Sequence, residues 1–369
     1  MTDPLRVSLL TLGDPGQLSG GYLYHRRMAS MAPEHGVALE FVSLPDRPFP
    51  IASLAARTLG RQIRDTRPDV LIVDSIAAWS LGLIPLPPDL PVVGSLHQPP
   101  GGVGQPALRR WVQSKLDVNA HRRCRLLIAA SESLATDLKS SGLARDTIVV
   151  VPPGRNVAES WDPEPLDLRQ GRAMALLCVA NWTPAKGIDY LLEAVATLPR
   201  ELATVHLAGA TNVDASYGTL LRRRISHSDL GERVVVHGAL TVDQVARLYA
   251  NADAFALPSF QEAFGTALGE AMAFGLPVIG WNLGNLPFLA RDGKEAIILP
   301  PGDLAALRAA ILLLAGNPAL RRDMGQAAAE RATSRPTWRD SAERFFAAVR
   351  EAAYGPHARS FTHGLARPS

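Results

Sequence analysis

The fold of this chain is decided by residues 259–279, which read SFQEAFGTALGEAMAFGLPVI. The short apolar run before it, residues 254–257, predicts a buried parallel strand. From about Gly265 to Phe274 the spacing becomes helical, and a glycine and a proline end the pattern. Residues 278–279 begin a second strand. The stretch therefore predicts a strand, a loop, a helix and a neighbouring strand.

Two carboxylates stand at informative places in this unit. Glu262 lies in the loop at the carboxyl end of a parallel strand, where open α/β sheets bind ligands. Glu270 lies inside the helix and could accept hydrogen bonds from the hydroxyls of a ribose. The amides at the start of the helix, near Phe264 to Ala267, could receive a phosphate. The alternative is two surface glutamates on an amphipathic helix, and spacing alone does not separate the two interpretations.

Length and composition indicate an ordinary two-domain globular protein. The chain has 369 residues, of which 47% are hydrophobic and 20% charged. A net charge of +3 suits a phosphate-bearing ligand or an anionic membrane surface. Cys124 and Cys178 lack metal-ligand spacing and form no disulfide framework. No apolar run reaches the roughly 20 residues of a membrane span, and no signal peptide is recognisable. We therefore expect a cytoplasmic protein, which could also contact the inner face of the membrane peripherally.

The first half begins with a strand over residues 5–12 and a glycine-containing loop over residues 13–21. A helix is predicted from about Tyr22 to Glu34. Strand, glycine loop and helix make a candidate phosphate cradle, and a plain flexible turn is the alternative. Further strands are predicted over 70–73 and 92–96. Alternating strands and helices indicate a parallel, doubly wound sheet.

The strand over 92–96 ends at His97, which places this side chain at the ligand-binding edge of the sheet. A lone histidine is more often structural than functional. Asp74 occupies a similar strand end, and the sequence suggests no distinct role for it.

A helix predicted over residues 107–125 is strongly basic and also contains Trp111 and Leu116. One interpretation is a surface that touches anionic lipid or a charged acceptor. The simpler interpretation, which we prefer from sequence, is a solvated helix face.

The second half repeats the architecture with a strand over 174–179 and a helix over 188–198. Lys186 lies near the start of that helix, where a cation beside helix amides suits a pyrophosphate. The alternative is one exposed lysine. A strand over 234–237 leads into Gly238.

The spacing of Glu262 and Glu270, together with the Gly-x-Pro-Val ending, resembles the family 4 glycosyltransferases. The resemblance covers nearly the whole chain and is strongest over 174–333. It implies the GT-B fold, an α/β architecture of two Rossmann-like doubly wound domains facing a central cleft. The implied divisions are an acceptor domain over residues 1–165 and a donor domain over residues 166–335. A crossover helix over residues 336–354 would pack back on the first domain, and residues 355–369 would form a disordered tail.

The resemblance also implies roles for individual residues. Glu262 would face the transferred sugar, His97 would face the reaction centre and Glu270 would hold the nucleotide ribose. The other donor-binding positions are those that approach the phosphates or the base, namely Gly21, Asn181, Lys186, Gly238, Phe264, Gly265 and Thr266. Two positions depart from the family pattern: Asn181 stands where the family usually has arginine, and Phe288 where it often has glutamate.

The implied reaction moves a sugar from a nucleotide-sugar to an unknown sugar, lipid or small-molecule acceptor, with retention of anomeric configuration. No Asp-x-Asp pair occurs, so neither a metal nor another cofactor is expected. Alternatives within the fold are a sugar-nucleotide epimerase, a phosphorylase and a non-catalytic sugar-nucleotide binder, the last favoured only by Asn181. Nucleic-acid binding is not expected, because the basic residues lack an interleaved aromatic platform.

Overall fold

The structure is a computed structural model that describes residues 3–16, 20–45, 55–102, 107–143, 148–155 and 164–355. The chain divides into two compact units. The first comprises Met1–Gly154 and Pro336–Ser369, and the second comprises Arg155–Arg335. The predicted tail lies outside the described residues from position 356 onward.

The first unit is built on a six-stranded parallel sheet with the strand order β2-β1-β3-β4-β5-β6. Its strands are β1 (Leu5–Leu12), β2 (Val37–Leu44), β3 (Val70–Asp74), β4 (Val92–Leu96), β5 (Leu126–Ala129) and β6 (Ile148–Val150). The helices between them are α1 (Gly20–Met31), α2 (Ala56–Thr66), α3 (Ala107–His121) and α4 (Glu132–Ser140). All five residues of β3 are buried, as expected for a strand covered on both faces of a parallel sheet.

The second unit holds another six-stranded parallel sheet, with the order β12-β11-β10-β7-β8-β9. Its strands are β7 (Met174–Val179), β8 (Ala203–Ala208), β9 (Val234–Gly238), β10 (Ala254–Leu257), β11 (Val278–Trp281) and β12 (Ala296–Leu299). Its helices are α5 (Ile188–Ala196), α6 (Ala215–Ile225), α7 (Val242–Asn251), α8 (Thr266–Ala273), α9 (Leu286–Leu289), α10 (Leu304–Gly316) and α11 (Pro318–Thr333).

The last helix, α12 (Trp338–Tyr354), belongs to the first unit. It begins with a capping box in which Thr337 and Asp340 satisfy each other's backbone amides. Phe345 and Phe346 are fully buried and pack with the residues of β1 and β3 in one hydrophobic core. The chain thus returns to the first sheet after completing the second.

The predicted α/β class with two doubly wound parallel sheets is confirmed, while several helix boundaries were wrong. The helix predicted over 22–34 ends at Met31 and continues as a 3-10 turn, Ala32–His35. Pro33 lacks the amide that an α-helix would need there. The helix predicted over 107–125 ends at His121. The helix predicted from about Gly265 to Phe274 is confirmed, since those two residues cap Thr266–Ala273.

Among the described residues, no single helix is long and apolar enough to cross a membrane. One adjacent pair, α10 and α11, has sufficient length and composition when taken together, with a bend of 103° between them.

Candidate functional site

Lys186 and Glu262 meet in the second unit because their loops follow neighbouring strands. β7 and β10 pair in parallel, so their carboxyl ends share one edge of the sheet. Lys186 Nζ donates to Glu262 Oε2 at 2.7 Å. Both side chains are partly exposed, at 26% for the lysine and 15% for the glutamate, so a ligand can reach the pair.

A glycine lets these two loops approach. Gly187 has φ of +62°, and a Cβ atom there would lie 2.1 Å from the carbonyl oxygen of Pro258. The contact is fastened by the carbonyl of Ala185, which accepts from the Phe260 amide at 2.8 Å and from the Ser259 hydroxyl at 3.0 Å. The backbone therefore fixes the distance between Lys186 and the loop that carries Glu262.

The second oxygen of Glu262 is held by the start of α8. Glu262 Oε1 accepts from the amide of Gly265 at 3.1 Å, and Gly265 has φ of +81°. Thr266 then opens the helix, whose first-turn amides have no acceptor within the helix itself. Lys186, the Glu262 carboxylate and the N-terminus of α8 are thus adjacent.

The loop after β11 packs against the backbone of the loop that carries Glu262. A Cβ atom on Gly284 would lie 2.1 Å from the carbonyl oxygen of Glu262. Asn285 donates from its amide to the same carbonyl at 3.1 Å and from Nδ2 to the carbonyl of Phe264 at 2.7 Å. Because Asn285 is 4% exposed, these bonds are shielded from water and rigidify the backbone around Glu262.

Glu270 projects from α8 beside a buried tyrosine. Tyr249 donates its hydroxyl to Glu270 Oε2 at 3.3 Å and to the carbonyl of Ala267 at 3.2 Å. Burial raises the pKa of Glu270, and the Tyr249 hydrogen bond and the charge of Arg335 lower it by a smaller amount. The Arg335 guanidinium lies 5.3 Å from the centre of the Phe264 ring.

The two departures from the family pattern are also defined. Asn181 is exposed, and its Oδ1 accepts from the Ala210 amide at 3.0 Å, so its carboxamide ties two loops together. Phe288 lies in α9 and is 48% exposed. Gly238 has φ of +70°, and no atom lies within 4 Å of the position of a Cβ atom there.

In the first unit, His97 is part of a buried polar cluster. Its Nε2 lies 3.0 Å from Nε2 of His25, which is also 2.9 Å from the Ser95 hydroxyl. On the other side of the His25 ring, Nδ1 lies 3.4 Å from Asp74 Oδ2. Thr11 donates to the same carboxylate oxygen at 2.9 Å. An aspartate and a histidine therefore stand in line behind His97.

The cluster sets which nitrogen of His97 carries its proton. Asp74 Oδ2 lies 3.4 Å from His25 Nδ1 without the alignment of a hydrogen bond, and its negative charge favours the neutral tautomer that carries the proton on Nδ1 and leaves Nε2 unprotonated. His97 must then donate from Nε2, which leaves its Nδ1 as an acceptor.

The surroundings of the cluster shift the pKa values of His97 and Asp74. Burial, followed by the charge of His25, lowers the pKa of His97, and Asp74 opposes the shift; the net value is about 3, so the His97 ring is neutral near pH 7. Burial alone would raise the pKa of Asp74, but His25, His97 and Thr11 together bring it below its usual value. The Asp74 carboxyl is therefore ionised and lies next to His25, which in turn contacts His97.

Two residues of α1, Gly21 and Tyr24, contact the His97 side chain. A Cβ atom on Gly21 would stand 3.5 Å from Cβ of His97, which is ordinary contact distance. The ring of Tyr24 lies 4.7 Å from the His97 ring, centre to centre. The predicted glycine therefore contacts the predicted histidine.

The predicted site residues fall into one group in each unit. The second unit brings together Lys186, Glu262, Phe264, Gly265, Thr266 and Glu270, whereas Asn181 and Gly238 follow β7 and β9 at the same sheet edge. The first unit brings Gly21 to His97. Sequence reasoning missed His25, Tyr249, Asn285 and Arg335. Only His25 carried a signal, since it lies four residues after Gly21 and so on the same helix face.

Within the described ranges, no group of three or more His, Cys, Asp or Glu side chains is arranged to hold a metal ion. The expectation that catalysis needs no metal stays a prediction.

Comparisons with known proteins match both halves of the chain. The family described as Glycosyltransferase Family 4 matches residues 4–159, and the family described as Glycosyl transferases group 1 matches residues 168–331. The glycogen synthase of Mycobacterium tuberculosis is 30% identical over 304 residues, which are 78% of this chain and 69% of that protein.

Solved structures show the same fold. Sucrose-phosphate synthase of Thermosynechococcus elongatus superposes with a TM-score of 0.79 at 19% identity, over 94% of this chain and 98% of that one. HepE of Anabaena, solved in complex with UDP-glucose, gives a TM-score of 0.74 at 19% identity, over 93% of this chain and 99% of that one. The predicted GT-B fold is confirmed.

Proposed function

This chain belongs to the family 4 glycosyltransferases, and we propose that it transfers a sugar from a nucleotide-sugar to an acceptor with retention of anomeric configuration. The observation that carries the proposal is the contact between Lys186 and Glu262 at the N-terminus of α8. The site therefore has a lysine and backbone amides that can bind a diphosphate, and next to them a carboxylate that can bind a sugar.

The leaving group is a nucleoside diphosphate, so negative charge grows on its phosphate oxygens as the bond to the sugar breaks. Lys186 and the first-turn amides of α8 are preorganised donors for that charge, which is where fixed dipoles accelerate a reaction most. A bound diphosphate competes with Glu262 for Lys186. Glu262 is then available to orient the transferred sugar and to stabilise the positive charge that develops on its ring.

Glu270 is proposed to accept hydrogen bonds from the ribose hydroxyls. Its contact with the buried Tyr249 hydroxyl fixes one carboxylate oxygen, which limits the rotamers available to the side chain. The structure of HepE with UDP-glucose makes a uridine nucleotide the first candidate donor to test.

His97 is proposed to position the sugar or the acceptor through Nδ1, which accepts a hydrogen bond from a hydroxyl. Asp74 and His25 act as positioning residues, because they hold the ring and its proton without meeting the substrate themselves. No metal is needed in this scheme, since Lys186 and the α8 amides supply the positive field.

Thermal stabilisation by UDP, GDP and ADP tests the donor site. A ligand at about 100 times its dissociation constant stabilises a protein by about 2.7 kcal/mol. We expect one nucleotide to raise the melting temperature of the wild type, and Lys186→Ala and Glu270→Ala to lose the effect. Lys294→Ala is a matched control, because Lys294 is an exposed lysine of the same unit, in the turn before β12.

If all three nucleotides leave the folded wild type unchanged, the donor site is absent. If Lys294→Ala loses stabilisation as fully as Lys186→Ala, the assignment of the phosphate site is wrong.

A further inference from the structure

Helix α3 has its polar and apolar faces reversed relative to an ordinary surface helix. Its inward face carries Asp117, which is 1% exposed and accepts from the Gly101 amide at 2.8 Å, and His121, which is 3% exposed. Large apolar side chains point outward instead. They are Leu108, Trp111, Val112 and Leu116, exposed to 76%, 62%, 37% and 36% respectively.

These four residues form one continuous stripe, which we call the α3 stripe. Their spacing of three, one and four residues places them on a single side of an α-helix over more than two turns. A surface helix normally turns such a stripe toward the core. The sequence predicts a solvated helix face for this segment, and the outward side chains are exposed. Periodicity alone does not reveal that the exposed side is the one with the large apolar residues.

Basic side chains accompany the stripe along the same segment. Residues 107–125 contain one acidic residue, and that residue is the inward-facing Asp117. The exposed basic residues along the same segment are Arg109, Arg110, Lys115, Arg122, Arg123 and Arg125. The exposed surface of the segment thus combines large apolar side chains with positive charge.

A cavity of about 180 Å³ opens beside the stripe. It is lined by Trp79, Arg109, Val112, Gln113 and Leu116. An apolar group that enters from outside would contact both the stripe and the buried Trp79.

We propose that the α3 stripe lies in the interface of an anionic lipid bilayer, with the basic residues among the headgroups. A helix of 15 residues is about 22 Å long, so the whole stripe can lie flat in one interface. Tryptophan favours that depth, and lysine and arginine reach from it to phosphate groups. A second copy docked on this surface by two-fold symmetry would bring like charges together, which disfavours a self-association site.

None of the stripe residues belongs to either group of site residues, so the proposal does not depend on the proposed reaction. Membrane binding would also determine where the enzyme acts, because a transferase bound to a bilayer encounters acceptors at the bilayer surface.

Co-sedimentation with lipid vesicles tests the proposal on the full chain. Vesicles of phosphatidylcholine mixed with phosphatidylglycerol are compared with vesicles of phosphatidylcholine alone. We expect binding to the mixed vesicles, a blue shift of tryptophan fluorescence, and loss of most binding in about 1 M salt, where the Debye length is about 3 Å. Trp111→Phe should remove the spectral shift and retain most of the binding.

Two variants divide the surface into its charged and apolar parts. Each basic residue near an anionic surface contributes about fivefold in affinity, so Arg109→Gln with Arg110→Gln should weaken vesicle binding about 30-fold. Leu108→Ser with Trp111→Ser should abolish it. All four side chains are exposed, so the melting temperature should hold in both variants.

The matched control lies on α6, which also carries an exposed leucine and a basic cluster. Leu220 is 54% exposed and Arg223 is exposed beside it. Leu220→Ser with Arg223→Gln should leave vesicle binding unchanged. The proposal is overturned by a wild type that ignores anionic vesicles, by a control that loses binding as fully as the α3 variants, or by a wild-type dimer that Leu108→Ser with Trp111→Ser converts to monomer.

Discussion

Replacing Asp74 by asparagine should reverse the proton arrangement of the buried histidines while preserving the fold. In the wild type, Asp74 Oδ1 accepts from the Ile76 amide at 3.3 Å, and that amide can only donate. The asparagine oxygen must therefore take the Oδ1 position, which directs its NH2 group toward Thr11 and His25. Thr11 can turn its hydroxyl to accept.

His25 has no such freedom. The partial positive charge of the NH2 group disfavours an N–H on the nearby Nδ1, so the His25 proton moves to Nε2 and is donated to His97. The proton of His97 then moves to Nδ1, and the acceptor that we propose for a substrate hydroxyl becomes a donor. Losing a hydrogen bond to a buried group costs about 1–3 kcal/mol. That cost corresponds to about 5- to 150-fold in kcat/KM.

The assay is the steady-state rate of nucleoside diphosphate release, with nitrogen-15 chemical shifts of the histidine rings as the independent readout. Thr11→Val is the matched control, because it removes a hydrogen bond to Asp74 Oδ2 and leaves the tautomers unchanged. We expect the control to stay within about threefold of the wild type, an effect below 1 kcal/mol. An Asp74→Asn variant with wild-type kcat/KM, or with unchanged ring shifts, would refute the tautomer argument.

Three further predictions concern single carboxylates. Glu262→Gln should abolish sugar transfer yet tighten nucleoside diphosphate binding about fivefold, because Lys186 loses a competing anion worth about 1 kcal/mol; calorimetry showing weaker binding would contradict this. The pKa of Glu270 is raised chiefly by burial, and its carboxylate form accepts from ribose, so nucleotide affinity should rise with pH through that pKa in the wild type and be flat in Glu270→Gln. Burial raises the pKa of Asp117 to about 6, opposed by hydrogen bonds from Gly101, Gln113 and Trp79. Because its pKa is higher in the folded state, Asp117 binds its proton more tightly there. The free energy of unfolding should therefore be highest below about pH 4 and fall by up to about 3 kcal/mol as the pH rises through 6. Urea unfolding across that range should show the loss in the wild type and not in Asp117→Asn.

Much of the fold followed from sequence because apolar runs and breakers are local signals. β1, β4, β7 and β10 have the bounds that their apolar runs predict. The spacing of Glu262 and Glu270 likewise located the loop and the helix that carry them. The ends of helices were less predictable, as at α1, where a proline shortened the predicted span.

Contacts between distant residues were beyond the sequence. Lys186 and Glu262 are 76 positions apart, and their contact depends on β10 pairing with β7 rather than with β9. His25 and His97 are 72 positions apart and meet because α1 packs beside the end of β4. No local pattern states which strand neighbours which, so the partners of a side chain at a strand end stay open until the sheet order is known.

Turnover of nucleotide-sugars by the purified chain tests the central claim most directly. A panel of UDP-, GDP- and ADP-sugars is incubated in excess chelator, with water as the surrogate acceptor, and release of the nucleoside diphosphate is measured for the wild type and Glu262→Gln. We expect slow release from one donor class by the wild type, unaffected by the chelator, and none by the variant. If the wild type releases no diphosphate from any donor while a nucleotide still stabilises it, the chain binds nucleotides without catalysis and the proposed reaction is wrong.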